Sequence, residues 1–179
     1  MEGLTYIDNF LDTPGELFTY LENNVEWDES MHSRKTASFG VPYNYSQIQY
    51  HYQPFPGAIE NLIDLIEKNL GFKPNNCLIN YYSNGKSTMG WHSDRTDILF
   101  DGTGVAIVSI GDTRVLRFRE IDQKDNKVDY SLPSGSMIYM TKEVQNKWHH
   151  CIPKSVSEGG RISLTFRKLL VEQDARIMP

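Results

Sequence analysis

The length, composition and charge of the chain indicate one domain of ordinary globular make-up. Its 179 residues are 39% hydrophobic, 23% charged and 12% aromatic, which suits a buried core and argues against disorder. The net charge of −5 does not support a broad electrostatic grip on nucleic acid or an anionic membrane, although it leaves a local basic patch open. No apolar run approaches the roughly 20 residues that a membrane span needs.

The N-terminus and the two cysteines predict a reducing compartment. Residues 1–17 have no basic segment followed by an apolar one, so we expect no secretory signal. Cys77 and Cys151 lie far apart and form no CxxC motif, which is typical of reduced thiols. We therefore expect a cytoplasmic monomer, or a nuclear one in a eukaryotic source, with no membrane partner.

Two helices are predicted in the first part of the chain. DTPGELFTYLENN opens with a capping box, in which Thr13 accepts from the backbone at Glu16 and Pro14 occupies the first turn. Residues 57–71 place apolar side chains on one helical face, with Gly71 at the C-terminal end. The aromatic, Gly- and Pro-rich residues 38–56 between them predict irregular strand and loop.

Short strands dominate from Cys77 onward. Six β-branched or alternating segments are separated by turn residues: CLINYY, VAIVSIG, RVLRFRE, KVDYSL, GSMIYM and RISLTFRKLL. Helices followed by many short, antiparallel-looking strands predict an α+β fold whose core is a double-sheet jelly roll.

The segment MGWHSDRTD, residues 89–97, contains a candidate metal site. If residues 91–95 are extended, His92 and Asp94 lie on the same face. An imidazole and a carboxylate are two ligands of the facial triad that binds non-heme Fe(II), and they also suit zinc. The alternative to a metal site is an ordinary polar loop, because so short a motif arises easily by chance.

The third ligand has to come from a distant histidine. His149 and His150 lie side by side in QNKWHHCIPK. In an extended segment they face opposite ways, so only one would bind, and spacing does not choose between them. Both could instead be core residues packed beside Trp148.

The segment RISLTFRKL separates polar and apolar faces. Two arginines and two hydroxyls alternate with apolar residues: Arg161, Ser163, Thr165 and Arg167 against Ile162, Leu164 and Phe166. Arginines on an inner face are costly unless an anion meets them, and two of them could clamp a dicarboxylate such as 2-oxoglutarate. The alternative is a polar face turned to solvent. A zinc hydrolase would leave the arginine pair unexplained.

The order HxD, H-x-I-P and R-x-S-x-T-F-R resembles the AlkB-like branch of the Fe(II)/2-oxoglutarate dioxygenases over most of the chain. This resemblance implies a single domain over 1–179, with a double-stranded β-helix core at about 76–170, helices packed outside it and a substrate-recognition lid at about 31–55. It also implies Fe(II), 2-oxoglutarate and dioxygen as cofactors.

The same resemblance assigns site residues. It selects His150 as the third ligand beside His92 and Asp94. It assigns five residues to the cosubstrate: Asn80, Tyr82, Arg161, Ser163 and Arg167. Ser163 departs from the family pattern, which usually has Asn at this position.

HSRKTASFGVPYNYS is similar to the nucleotide-recognition lid of AlkB-type repair enzymes. By this likeness Tyr43 and Tyr45 would stack on a flipped base and Arg34 would meet the phosphate backbone. The tyrosines could equally cap the core of an aromatic loop. Thr96 stands where repair members commonly carry a base-reading acid, and Asp97 follows it.

The implied activity is oxidative removal of N-alkyl groups from nucleobases in DNA or RNA, by hydroxylation and release of formaldehyde. Thr96 and the acidic net charge favour the same chemistry on a protein or small molecule instead. A nucleic-acid-binding module without turnover is a third alternative.

Five basic side chains could form a local positively charged surface, the basic rim, or they could simply face solvent: Lys86, Arg95, Arg114, Arg117 and Arg119.

Overall fold

The computed structural model describes residues 1–43 and 48–171. The strands are β1 Leu4–Ile7, β2 Lys35–Gly40, β3 Asn76–Tyr82, β4 Met89–His92, β5 Val105–Gly111, β6 Arg114–Glu120, β7 Lys127–Leu132, β8 Ser136–Met140, β9 Trp148–Ile152 and β10 Arg161–Arg167. The helices are α1 Pro14–Asn24, α2 Gly57–Leu70 and α3 Lys142–Lys147.

The strands form two antiparallel sheets. The larger sheet has the order β1-β8-β5-β10-β3-β2, and the smaller sheet has the order β4-β9-β6-β7. In both sheets, strands that are distant in the sequence lie next to each other, which is characteristic of the jelly roll. The predicted α+β fold with a double-stranded β-helix core is confirmed.

Two hydrophobic clusters hold the layers together. One joins α1 and α2 to the outer face of the larger sheet, with Leu21, Ile59 and Ile66 buried against it. The other lies between the two sheets and includes Leu116 and Phe118 of β6. The candidate site is a cavity between the sheets, lined by polar side chains and by members of this second cluster such as Leu78 and Leu116.

Strand β10 is buried on both faces. Ile162, Leu164 and Phe166 join the cluster beneath the helices, so alternation turns Arg161 and Arg167 toward the space between the sheets. Every residue of β10 is buried, which excludes the solvent-facing alternative for its polar side.

The helix ends agree only partly with the sequence signals. Pro14 occupies the first turn of α1, but the Thr13 side chain makes no capping hydrogen bond. Gly71 ends α2 in the left-handed region with φ 76°, a conformation that favours glycine. Strand β1 and helix α3 were not predicted. None of the described helices has the length and apolar character needed to cross a membrane.

Candidate active site

Two histidines from different strands meet on the inner face of the smaller sheet. His92 of β4 pairs directly with His150 of β9, and their ring centroids are 4.3 Å apart. The Nδ1 atom of His92 lies 2.9 Å from the carbonyl oxygen of Gly90, which can only accept a hydrogen bond. His92 Nδ1 therefore carries the hydrogen of this contact, which leaves Nε2 as the ring atom that can bind a metal.

Asp94 lies two residues beyond His92, just after β4, and is buried. Its Oδ1 accepts from Arg167 Nη2 at 2.6 Å, and its Oδ2 lies 3.4 Å from Gln145 Nε2. The described residues contain no cluster of three or more His, Cys, Asp or Glu side chains already arranged around one metal position.

The protonation states of His150 and Asp94 favour the binding of a metal cation. Burial and the neighbouring His92 lower the pKa of His150 to about 3, so its imidazole is neutral at neutral pH. Burial alone would raise the pKa of Asp94, but interactions with Arg167 and the two imidazoles outweigh it and lower that pKa to about 2. Neutral imidazole and ionised carboxylate are the forms that bind metal ions.

Arg161 is a buried cation without a carboxylate partner among the described residues. It is 1% exposed, and its Nη2 donates to Ser109 Oγ at 2.8 Å. Its Nε and Nη1 have no hydrogen-bond partner in the described part of the chain. Burial lowers the pKa of Arg161 to about 10. Two unsatisfied donors on a buried cation fit an anionic ligand, since leaving them unpaired is costly.

Arg167 stands at the other end of the same strand face. Its guanidinium carbon lies 4.0 Å from the ring centroid of Tyr43, within the range of a cation–π contact. Its Nε and Nη1 also lack a hydrogen-bond partner among the described residues. Arg161 and Arg167 therefore both present unsatisfied donors, as a dicarboxylate would require.

Strand register explains why the cosubstrate candidates lie together. Tyr82 is opposite Arg161, and Asn80 is opposite Ser163, where β3 pairs with β10. Residues directly opposite each other in an antiparallel pair share a face. One cavity between the sheets is accordingly lined by all eight predicted metal and cosubstrate residues: Asn80, Tyr82, His92, Asp94, His150, Arg161, Ser163 and Arg167.

The predicted substrate residues lie in different places. Tyr43 lines the cavity, where its ring covers Arg167. Thr96 and Asp97 do not line it, and Asp97 pairs with Arg95 at 2.6 Å on the exposed surface. Tyr45 lies outside the described residues.

Arg34 differs from the expectation that it contacts phosphate. It is 5% exposed, and its Nε donates to Asn80 Oδ1 at 2.8 Å. This contact places Arg34 beside Asn80, one of the residues predicted to bind the cosubstrate.

The predicted basic rim is not a single surface. Arg114 is buried and donates to the carbonyl oxygens of Asn84, Ser87 and Pro153. Arg117 pairs with Asp129, with 2.7 Å between Nη2 and Oδ2. Arg119 lies over the ring of Trp91, 4.3 Å from its centroid.

Two residues near the site were missed by the sequence analysis. Gln145 contacts Asp94 from α3, and Ser109 of β5 bonds Arg161. Ser109 could have been found from the alternation of VAIVSIG, in which it is the one polar residue before the turn. Nothing in the sequence indicated Gln145.

Comparison with known proteins assigns the chain to a family. A model of the 2OG-Fe(II) oxygenase superfamily matches residues 4–167, so the chain belongs to this superfamily of dioxygenases, which use Fe(II), 2-oxoglutarate and dioxygen. Within it the chain is AlkB-like. The alpha-ketoglutarate-dependent dioxygenase alkB homolog 3 of Bos taurus is 32% identical over 170 residues, covering 87% of this chain and 57% of that protein.

One further relative agrees with this assignment, and a solved structure shares the fold. The alpha-ketoglutarate-dependent dioxygenase AlkB homolog of Caulobacter vibrioides is 32% identical over 124 residues, covering 65% of this chain and 56% of that protein. The solved structure of OsALKBH1 has the same fold, with a TM-score of 0.73 at 15% identity over 94% of this chain and 99% of that one. The chain spans little more than half the length of the Bos taurus and Caulobacter vibrioides proteins.

Proposed function

We propose that the chain is an Fe(II)/2-oxoglutarate-dependent demethylase that removes N-alkyl groups from nucleobases of DNA or RNA. One observation carries the oxygenase part of this proposal. A single cavity contains two imidazoles, a carboxylate and two buried arginines with unsatisfied donors. A dicarboxylate cosubstrate accounts for both arginines, whereas a zinc hydrolase accounts for neither.

In this proposal His92, Asp94 and His150 hold Fe(II). Iron bound by these residues would supply the oxidation chemistry. The protein contributes by keeping the ligands in their binding protonation states. Gly90 fixes the tautomer of His92, and burial keeps His150 neutral by lowering its pKa to about 3.

Arg161 and Arg167 bind the two carboxylates of 2-oxoglutarate in this proposal, one at each end of the cavity. Asn80 and Ser163 lie between them on neighbouring strands and can donate to the ligand. Among the described residues the Tyr82 hydroxyl donates to Met89 Sδ, at 3.9 Å, a weak contact that a carboxylate can replace. These residues orient the cosubstrate and exclude water.

The proposed reaction consumes one dioxygen for each methyl group. One oxygen atom enters succinate as 2-oxoglutarate loses CO2, and the other enters the N-methyl C–H bond to give an N-hydroxymethyl base. Cleavage of its C–N bond, with transfer of the hydroxyl proton to nitrogen, releases formaldehyde and the unmodified base. No further oxidant or reductant is required.

A nucleobase substrate is supported by aromatic and cationic groups near the cavity. Tyr43 presents an aromatic ring in the cavity wall, and aromatic side chains stack on any base. Outside it, Arg119 lies over the ring of Trp91 and has no ion pair among the described residues, so its charge is available to a phosphate. The likeness to alkB homologues points the same way.

A protein or small-molecule substrate remains the second candidate. Two residues assigned to nucleic acid are placed otherwise: Asp97 is engaged by Arg95 outside the cavity, and Arg34 is buried against Asn80. The same oxygenase chemistry would then act on a different C–H bond.

Succinate production separates these functions. The protein is loaded anaerobically with Fe(II) and assayed with methylated oligonucleotides and unmethylated controls. The proposal predicts succinate and formaldehyde in equal amounts, stimulated only by the methylated strand. Turnover that no oligonucleotide stimulates supports the second candidate, and oligonucleotide binding without turnover would make the chain a binding module.

A further inference from the structure

We propose that Gln145 is a positioning residue that sets the metal affinity of the site by fixing both the backbone and the carboxylate of Asp94. The inference rests on the proposed function for one point, that Asp94 is a metal ligand. It adds a residue from α3, an element outside the two sheets that carry the rest of the site.

Gln145 is buried beside Asp94, which lines the cavity. It is 2% exposed, and its helix connects β8 to β9 within a few residues at each end. The adjacent Val144 is buried in the cluster between the sheets. The position of the Gln145 side chain is therefore fixed by the same core that fixes β9 and its His150.

The carboxamide of Gln145 has a defined orientation. Its Oε1 accepts the backbone N–H of Asp94 at 2.9 Å, a contact that an NH2 group could not make. Its Nε2 must then face the other way, where Asp94 Oδ2 lies at 3.4 Å and Met140 Sδ at 3.6 Å. One buried amide therefore contacts the same residue through its main chain and its side chain.

The two partners of the Asp94 carboxylate have different tasks. Arg167 contacts Oδ1 through Nη2, but its Nε and Nη1 are assigned to the cosubstrate, so the guanidinium serves two ligands. Gln145 has no other described anionic partner and can keep its contacts when ligands enter. Partners of this kind orient a metal ligand and limit the entropy that it loses on binding.

If Gln145 had only a structural role, replacing it would lower the stability of the protein without changing its metal affinity. Gln145 also satisfies a buried N–H at the end of β4, so its removal lowers stability whatever Asp94 does. Stability alone therefore does not test the inference. The metal affinity of the folded protein does, because a filler of the core would not change it.

The test measures Mn(II) binding by calorimetry, without cosubstrate or substrate, on protein shown to be folded by circular dichroism. Gln145→Leu and Gln145→Met both remove the amide, and the flexible methionine keeps most of the volume if the leucine variant folds poorly. Asn146→Leu, at the exposed neighbouring position of α3, is the matched control. We expect the Mn(II) dissociation constant to rise about 10- to 100-fold in both Gln145 variants and by less than about twofold in the control.

A second measurement reports on Asp94 as a ligand of the bound metal. The visible absorption of bound Co(II) depends on its donor set, so a displaced Asp94 should change the spectrum of the Gln145 variants and leave that of Asn146→Leu as in the wild type. Folded Gln145 variants with wild-type Mn(II) affinity would overturn the inference alone. A wild-type protein that binds no Mn(II) would overturn the metal site as well, and so the two failures are distinguishable.

Discussion

Arg167 and Asp94 form a buried ion pair, in which Nη2 donates to Oδ1 at 2.6 Å. The pair joins the proposed cosubstrate site to the proposed metal site, because each residue belongs to one of them. Buried pairs of this kind are rarely retained for stability, since desolvation offsets most of the attraction. A role in binding explains its presence better, because it keeps a carboxylate ionised inside the protein.

Replacing Arg161 should weaken cosubstrate binding while stabilising the protein without it. Arg161 is buried with two unsatisfied donors, so Arg161→Met removes a desolvated charge that nothing offsets until an anion binds. We expect the Kd of 2-oxoglutarate to rise roughly 100-fold, for a loss of about 3 kcal/mol. Urea unfolding of the cosubstrate-free variant should show unchanged or greater stability.

Arg117→Met is the control for that experiment. Arg117 is partly exposed and pairs with Asp129 on the outer face of the smaller sheet, where an ion pair contributes about 0–1 kcal/mol. Both its cosubstrate affinity and its stability should stay near the wild type. If Arg161→Met bound 2-oxoglutarate normally, the assignment of Arg161 to a carboxylate would be wrong.

Arg34→Met should affect the cosubstrate rather than the nucleic acid. Its Nε holds Asn80 Oδ1 at 2.8 Å, and loss of a hydrogen bond from a charged donor costs about 1.5–3 kcal/mol. We expect the KM for 2-oxoglutarate to rise about tenfold or more, with oligonucleotide affinity unchanged in a gel-shift titration.

Lys35→Met controls for loss of a neighbouring charge. Lys35 pairs with Glu29 at 2.6 Å, and both side chains are partly exposed. Neither the KM for 2-oxoglutarate nor the oligonucleotide affinity should therefore change by more than about twofold. The opposite pattern for Arg34→Met, in which oligonucleotide affinity falls and the KM for 2-oxoglutarate is unchanged, would restore the phosphate contact that the resemblance implied.

The metal-free protein should lose stability in mild acid because of His150. Burial lowers the pKa of this histidine from 6.5 to about 3, so the unfolded state binds a proton that the folded state does not. This contribution is fully present above pH 6.5 and is lost as the pH falls toward 3. Asp94, with its pKa lowered from 3.8 to about 2, adds the same sign of dependence only below pH 4.

Urea unfolding between pH 7 and pH 4 measures this effect. The free energy of unfolding should fall by at most about 1.4 kcal/mol per pH unit for one proton, and His150→Gln should reduce the slope. His32→Gln, at an exposed histidine, should leave the slope unchanged. Equal slopes in the wild type and His150→Gln would contradict a neutral, buried His150.

Alternation along strands allowed much of the fold and cavity to be predicted. The polar and apolar faces of β10 follow from a period of two, and the HxD spacing places two side chains on one face for the same reason. The choice of His150 over His149 needed the family resemblance, because spacing alone left both open.

Features that depend on tertiary contacts could not be predicted. Arg34 and Arg114 have charges typical of surface residues, and only the structure shows their carbonyl and amide partners inside the fold. Helix α3 has six residues, which is too short for a periodic pattern to identify. Gln145 was missed together with that helix.

Iron retention by two single variants tests the proposed metal site most directly. His149 and His150 are adjacent in β9, and only His150 lines the cavity with His92 and Asp94. After anaerobic loading with Fe(II) and desalting, His149→Ala should keep about one iron per chain, and His150→Ala should keep almost none. Iron retained by His150→Ala and lost by His149→Ala would contradict the proposed metal site.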